Sequence, residues 1–597
     1  MSEYLKRISC IEQDKDQRAA LYAEGSQVMI AGPGTGKTYL LTTKAAKLLL
    51  EEKIKYPQKL VCITFSRELA NKLIKEFQEL GVYDPERMYV GTIHAFCIAE
   101  IIIPATNLLP IGSVPQLFRI ASQQEIQNAL SSSLKSQGKK FPSKKKDAKN
   151  VQSNLDKFRR LHYKPDNQTE FESHFPEVDG YSLNSLADLN WAKFARDYHE
   201  YLLKSSPSSL DFVEVEMLSL RILKEYPQLA MTLAAAYPWW FIDEYQDLSP
   251  LFHRMVCSLL EARQISVFAI GDPNQCIYEE LQGSKPANIH ELAQVTGNQV
   301  IKLRTNYRSP QKIIDFSEKI LDNDNDYQSS TQNVGAIEAN EIRVSIIQDR
   351  INEIITENKA SKIAILASSR SMLETLIHKL EQISDLDITS DKNPEFTSNT
   401  ELLGWLQQLA QWCSGAEKVY FYELLSFWHA FLGTDQSENM SERFEAERSL
   451  FTALWSQRDA SMPLSTWLER VKNTILTSDR LSRYKHQRPD DVKELGELIK
   501  VVNDPLKLQS KTVGWFGKKE SNIFLTTFHS SKGLQFDTTI VIDLDSLWDS
   551  PPNPNLKNRI AYVAVSRAKE KLYVLILKKR KFAKKIEQMP SSIVTYR

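Results

Sequence analysis

Apolar residues near the N-terminus alternate between two spacings. Unbroken runs such as "SQVMIA" and "KLVCIT" end in turns, and each gives way to a stretch with apolar residues every three or four positions, "KTYLLTTKAAKLLL" and "RELANKLIKEFQEL". The first spacing is that of a buried strand and the second that of an amphipathic helix. Repeated strand–turn–helix units predict a parallel sheet with helices on its faces. From about Ile101 to about Gln228 the helical spacing takes over, including the Lys-rich piece "KSQGKKFPSKKKDAKN". Strand-like runs return in "WWFIDEY", "ISVFAIGD", "KIAILASS", "NIFLTTFHSSKG", "TTIVIDLD" and "KLYVLIL". Between about Asp391 and Ser521 the chain is again helical and rich in aromatics. The expected fold is α/β: two parallel-sheet domains, 1–100 with 229–300 and 301–390 with 522–597, each carrying a mainly α-helical insertion, 101–228 and 391–521.

Composition fits that reading without narrowing the function. A chain of 597 residues exceeds what one hydrophobic core usually supports, and 42% hydrophobic with 25% charged residues is ordinary for a soluble globular protein. Lys+Arg and Asp+Glu are each 75, so whole-chain charge neither predicts nor excludes a polyanionic partner. A nucleic-acid surface must then be a local patch. Lys135 to Lys149 and "KKRKFAKK" at Lys578 to Lys585 stand as either solvated surface or phosphate contacts. The six cysteines are scattered without a C-x-x-C pair, which suggests reduced thiols in a cytosolic protein. The start "MSEYLKRISC" is too polar for a signal peptide and no apolar run has the length of a membrane span, so the cytoplasm is the expected compartment and no membrane partner is expected.

The chemistry enters with "AGPGTGKT", Ala31 to Thr38, which follows an apolar strand and opens a helix. That is the context of a phosphate-binding P-loop. Gly32, Gly34 and Gly36 let backbone N–H groups turn toward phosphate oxygens, with Thr35 between them, and the helix N-terminus adds a favourable dipole. Lys37 would reach the outer phosphates and Thr38 would ligate magnesium. Downstream, the apolar run of "YPWWFIDEYQDLSP" ends in Asp243, Glu244, Gln246 and Asp247. A surface turn is the simpler reading of such a cluster. After a P-loop, however, Asp243 stands where a carboxylate holds magnesium and Glu244 where a base orients the attacking water.

The set "AGPGTGKT", "FIDEYQDLSP", "AIGDPNQCIY", "LRTNYRS", "TTFHSSKGLQF" and "RIAYVAVSRAKEKL" resembles, in order and spacing, the superfamily 1A DNA helicases typified by UvrD, Rep and PcrA. The resemblance implies two RecA-like motor domains, 1A and 2A, interrupted by insertions 1B and 2B. It implies ATP with Mg2+, single-stranded DNA and single/double-strand junctions as the track, and translocation 3′ to 5′ with duplex separation. Carried over residue by residue, Gln17 would read adenine and Tyr307 stack on the base. Gln275 would sense the γ-phosphate, and Arg308 and Arg567 would reach it from the second motor domain. Phe65, Thr92, His94, Tyr278, Thr527 and His529 would line the DNA track, with Phe65 and Tyr278 as stacking platforms.

Several positions depart from the family pattern. After Tyr278 the chain reads "EELQGS", Glu279 to Ser284, where the family has a Trp and an Arg before a Gly; Tyr39 follows the P-loop where an Arg is common; and Gln535 replaces a Glu. A second reading therefore stands beside the motor: a DNA-stimulated ATPase subunit partnering a separate nuclease, in repair or in anti-phage defence. A nucleotide-binding scaffold without turnover is a third reading. Trp405, Trp412, Phe427 and Trp428 of the second insertion read as core or, alternatively, as a partner-docking face.

Overall fold

The structure, a computed structural model, describes residues 2–64, 66–109, 115, 117–143, 145–165, 170–171, 189–204, 208–262, 265–323, 326–358, 361–383, 388–390, 400–415, 420–433, 440–503, 512–517, 522–549 and 553–597. By internal contacts the chain divides into two compact units. The first comprises 1–341, 531–535 and 543–597, and the second 342–530 and 536–542.

In the first unit six strands form a parallel sheet: β1 Gln27–Ala31, β2 Leu60–Thr64, β3 Met88–Thr92, β4 Trp239–Ile242, β5 Ser266–Gly271 and β6 Ile301–Leu303. Their spatial order is β6-β1-β5-β4-β2-β3. Sequences such as "LVCIT" and "WWFI" are apolar throughout because both faces of a parallel sheet are covered. Pleating sends alternate side chains to different cores. Val28, Val61, Ile63, Trp240, Ile242 and Val267 join one cluster, and Met29, Leu60, Cys62, Phe241 and Phe268 the other. The first of these clusters runs on into Val151, Leu155, Phe194 and Tyr198, so helices within 101–228 share a core with the sheet.

The same unit holds a short parallel ribbon, β7 Thr305–Asn306 with β8 Gln328–Ser329, in the register Thr305↔Gln328 and Asn306↔Ser329. It also holds β9 Ala336–Glu341, which pairs in parallel with Ala568–Ile576 on one side and with Thr595–Tyr596 on the other.

In the second unit β10 Ile363–Ala367, β11 Ile388–Ser390, β12 Ile523–Thr527 and β13 Phe536–Ile542 lie in the parallel order β11-β12-β10-β13. The expected α/β architecture with two parallel sheets is the one observed. The helices between Glu401 and Gly517 have their own core around Trp405, Trp428 and Trp467. Trp405 and Trp428 stack 5.9 Å apart and are buried, as is Trp412, while Phe427 packs at the margin. Of the two readings open for these aromatics, core packing is the one observed for the three tryptophans, with Phe427 packed against them. No helix among the described residues is long and apolar enough to cross a membrane.

Candidate nucleotide site

In the first sheet β5 separates β1 from β4, so the carboxyl ends of three adjacent strands meet. Such an end is where parallel α/β sheets bind ligands. Here those ends carry the P-loop after β1, Asp243 and Glu244 after β4, and Asp272 to Gln275 after β5.

The P-loop turns through Gly34 and Gly36 at φ of +78° and +81°, conformations that favour glycine. Space forbids a side chain at Gly34 as well, since a Cβ there would lie 2.5 Å from Asn306 Oδ1 and 2.6 Å from Arg308 Cβ. Thr35 is buried and its hydroxyl donates to Gly32 O at 2.8 Å, closing the turn. Gln17, also buried, donates through Nε2 to Thr35 O at 2.9 Å. Tyr307 joins from the other side: its N–H donates to Gly34 O at 2.8 Å and its hydroxyl to Asp14 Oδ2 at 2.6 Å, leaving the ring 45% exposed. Gln17 and Tyr307 are both neighbours of Gly36.

The helix Lys37–Leu50 presents its first two side chains to the end of β4. Thr38 Oγ1 donates to Asp243 Oδ2 at 3.2 Å, and Lys37 Nζ lies 3.3 Å from Glu244 Oε1. Glu244 sits at φ +52°, a left-handed conformation that costs a non-glycine residue about 1–3 kcal/mol. Its N–H donates to Asp243 Oδ1 at 2.9 Å and Gln246 Nε2 donates to its carboxylate at 2.6 Å, which holds the turn. Burial alone would push the Glu244 carboxyl up, but the Lys37 and Lys532 charges hold it well below the usual carboxylate range. Burial and the Glu244 charge act together on Asp243 and push its carboxyl up. Of these two adjacent acids, Asp243 is the one short of positive charge.

Beyond β5, Gln275 Nε2 donates to Asp272 Oδ2 at 2.8 Å, and Arg567 Nη2 donates to Gln275 Oε1 at 3.3 Å. Arg567 is 1% exposed, and burial together with the nearby Arg308 depresses its affinity for a proton. Arg308 shows the same direction through burial, and its Nη1 is buried without a partner among the described residues. Two guanidinium groups thus sit together with little anionic compensation. The expected residues Gln17, Gly32, Gly34, Thr35, Gly36, Lys37, Thr38, Asp243, Glu244, Gln275, Tyr307, Arg308 and Arg567 all fall in the first compact unit.

Sequence reasoning passed over Lys532, although it lies in the quoted "TTFHSSKG". Its ammonium is 2.6 Å from Asp247 Oδ2, donates to Gln275 O at 2.6 Å and lies 4.0 Å from Glu244 Oε2. Against burial, which pulls its proton affinity down, Asp247 and Glu244 hold it above the ordinary lysine range. Gln246 was noted only as part of a polar cluster, yet its Oε1 accepts from Asp272 N at 2.9 Å and so ties the end of β4 to that of β5.

The residues expected on a DNA track lie on several elements of both compact units. Phe65 lies outside the described residues. Thr92 caps the short helix Ile93–Phe96 through Ala95 N. His94 Nε2 is 3.2 Å from Glu216 Oε1, between the rings of Phe212 and Phe252. Glu216, 1% exposed, also binds Arg160 and accepts from the Ser249 hydroxyl at 2.6 Å, a connection that no sequence motif signalled. Tyr278 is half-buried with Lys532 Nζ 5.5 Å from its ring centroid. Thr527 and His529 belong to the second unit, where Thr527 Oγ1 donates to Ser530 Oγ at 3.1 Å and burial pulls the His529 proton affinity down. The divergent segment after Tyr278 forms one helical turn, Glu279–Gln282, and Glu279 pairs with Arg559, which also donates to Cys276 O at 2.8 Å.

Among the described residues no group of three His, Cys, Asp or Glu side chains is placed to hold a metal ion unaided. Magnesium needs less. It takes one or two protein oxygens and completes its shell with phosphate and water, and the Thr38 hydroxyl beside the Asp243 carboxylate is such a donor pair.

Comparison with known proteins agrees with this geometry. Residues 13–296 match the UvrD/REP helicase N-terminal domain, and residues 522–575 match the UvrD-like helicase C-terminal domain. The chain is 23% identical to DNA helicase II of Rickettsia typhi, covering 97% of this chain and 94% of that protein. It is 22% identical to the ATP-dependent DNA helicase PcrA of Bacillus subtilis, covering 96% of this chain and 84% of the relative. With both halves of the family's domain pair matched, and with P-loop, acidic strand end and paired arginines at one sheet edge, this chain belongs to the UvrD/REP helicase family.

Proposed function

We propose that this protein hydrolyses ATP to move 3′ to 5′ along single-stranded DNA and to separate duplexes at single/double-strand junctions. The observation that carries the reading is the convergence of Lys37, Thr38, Asp243 and Glu244 with Gln275 and Arg567 at one sheet end. In this reading Gln17 and Tyr307 take the adenine, and the P-loop amides with Lys37 take the phosphates. Glu244 orients the attacking water, while Gln275, Arg308 and Arg567 meet the charge that develops on the transferred phosphoryl. Thr38 and Asp243 would hold magnesium, which when bound neutralises charge on the phosphate oxygens. A buried site whose arginines make no ion pair with a carboxylate among the described residues favours a ligand of high negative charge, and a triphosphate supplies it.

The division into motor domains 1A and 2A with insertions 1B and 2B, the DNA track through Thr92, His94, Tyr278, Thr527 and His529, and a cytoplasmic location are parts of the same proposal. Six free cysteines support the last of these. The decisive measurement is ATP turnover with and without single-stranded DNA, together with strand separation on 3′-tailed and 5′-tailed duplexes. DNA-stimulated turnover with separation of the 3′-tailed substrate alone is the expected result, and separation of the 5′-tailed substrate alone overturns the polarity.

One observation favours the second reading, a DNA-stimulated ATPase subunit acting with a separate nuclease in repair or defence. The segment Glu279–Gln282 offers a turn of helix pinned through Glu279 to Arg559, in place of the aromatic and basic residues usual there. Stimulated turnover without separation of either substrate would select that reading.

A further inference from the structure

The ribbon β7–β8 carries to the P-loop, besides Arg308 Nη1, a second buried side-chain donor that finds no acceptor among the described residues. This is Tyr327, immediately before β8, which no sequence pattern singled out. Its side chain is 5% exposed, and its ring packs so closely on Gly32 that a Cβ there would lie 2.7 Å from Cζ and 3.0 Å from the hydroxyl oxygen. The Gly32 amide stands beside that oxygen as a donor, and among the described residues no acceptor takes the hydroxyl's own proton. Lys302 Nζ lies 5.6 Å from the ring centroid.

A buried O–H without an acceptor is costly, and a Phe would fill the same space without that cost. Such groups call for an explanation, and a ligand that supplies the missing acceptor is a natural one. Burial pushes the phenol well above its ordinary range, so it stays a neutral O–H and a competent donor. Its surroundings indicate which acceptor. Tyr327 is within electrostatic range of Asp272, the carboxylate that holds Gln275. Arg308, with its own unpartnered Nη1, follows the adjacent strand β7 and reaches Gly34. The outer end of a bound triphosphate belongs among Lys37, Gln275, Arg308 and Arg567, while its inner phosphates belong against the P-loop amides and the helix start.

We propose that Tyr327 is a nucleotide-contacting residue whose hydroxyl donates a hydrogen bond to an oxygen of the terminal phosphate. The proposal rests on the nucleotide site described under Proposed function, and it adds a contact that distinguishes triphosphate from diphosphate.

Tyr327→Phe keeps the ring and removes the donor. Calorimetric titration with AMP-PNP and with ADP, each with magnesium, should show AMP-PNP binding weakened about tenfold or more and ADP binding unchanged within about twofold. The melting temperature of the nucleotide-free variant should equal or exceed that of the parent, because an unsatisfied hydroxyl has been removed; a purely structural tyrosine would lower it. Unchanged AMP-PNP affinity, or equal losses for both nucleotides, overturns the proposal. Lys37→Ala separates the two levels of inference. If it binds AMP-PNP as the parent does, the P-loop reading fails and the Tyr327 contact with it. If it loses binding while Tyr327→Phe does not, only the Tyr327 contact is discarded.

Discussion

The ammonium of Lys37 lies 3.3 Å from the carboxylate of Glu244, so the first residue of the P-loop helix neutralises the residue that ends the acidic strand. In the proposed function a triphosphate would compete for that ammonium, and its arrival would free Glu244 to orient water. Lys37→Met should therefore abolish nucleotide binding, whereas Glu244→Gln should bind ATP within a few-fold of the parent and lose turnover by about a hundredfold or more. Parallel binding and single-turnover measurements check this. Undiminished hydrolysis by Glu244→Gln removes it from the chemistry.

Lys532 is the cation for Asp247 and a neighbour of Glu244, all largely buried. Removing one partner of a buried ion pair leaves an uncompensated charge, typically at about 3–5 kcal/mol. Lys532→Met should lower the melting temperature and abolish turnover, and adding Asp247→Asn should recover stability but not activity. Chemical denaturation followed with an ATPase assay reads both effects. A single variant as stable as the parent would show that the pair contributes nothing.

His199 Nδ1 is 2.5 Å from Glu214, a carboxylate also held by Arg159, in the helical part of the first unit. Although burial pulls the imidazole down, the Glu214 charge raises it above its ordinary value of 6.5. A raised histidine contributes stability that is full below about pH 6.5 and is lost as pH climbs through the folded value. Glu214 is shifted the other way: burial opposes its ionisation, but His199 and Arg159 lower it, so its contribution is lost on acidification below the usual glutamate range. Thermal melts should show stability falling as pH rises above about 6.5, a fall that His199→Gln removes. Equal slopes for parent and variant would contradict the assignment.

Trp405 is 2% exposed, stacks on Trp428 and donates through Nε1 to Leu424 O at 2.9 Å. Trp405→Ala should destabilise the helices of the second unit by about 3–5 kcal/mol while leaving ATP binding intact. Urea unfolding monitored by fluorescence and nucleotide titration are the two readouts. A loss below about 1 kcal/mol would mean the site relaxes to fill the cavity.

Local pattern determined a good deal here. Unbroken apolar runs gave the parallel strands because both faces of such a sheet are covered. The P-loop and the acidic strand end were legible because a phosphate cradle needs glycines, a lysine and a hydroxyl in consecutive positions. Only tertiary structure decided which distant groups complete the site. Lys532 reaches Asp247 across 285 positions, Arg567 reaches Gln275 across 292, and Tyr327 lies on Gly32. Glu216 became a shared partner of His94, Arg160 and Ser249 in the same way. A lysine, tyrosine or glutamate in a loop or helix carries no local mark of its partner, because the cost of burying its polar atoms exists only once the chain has folded around them.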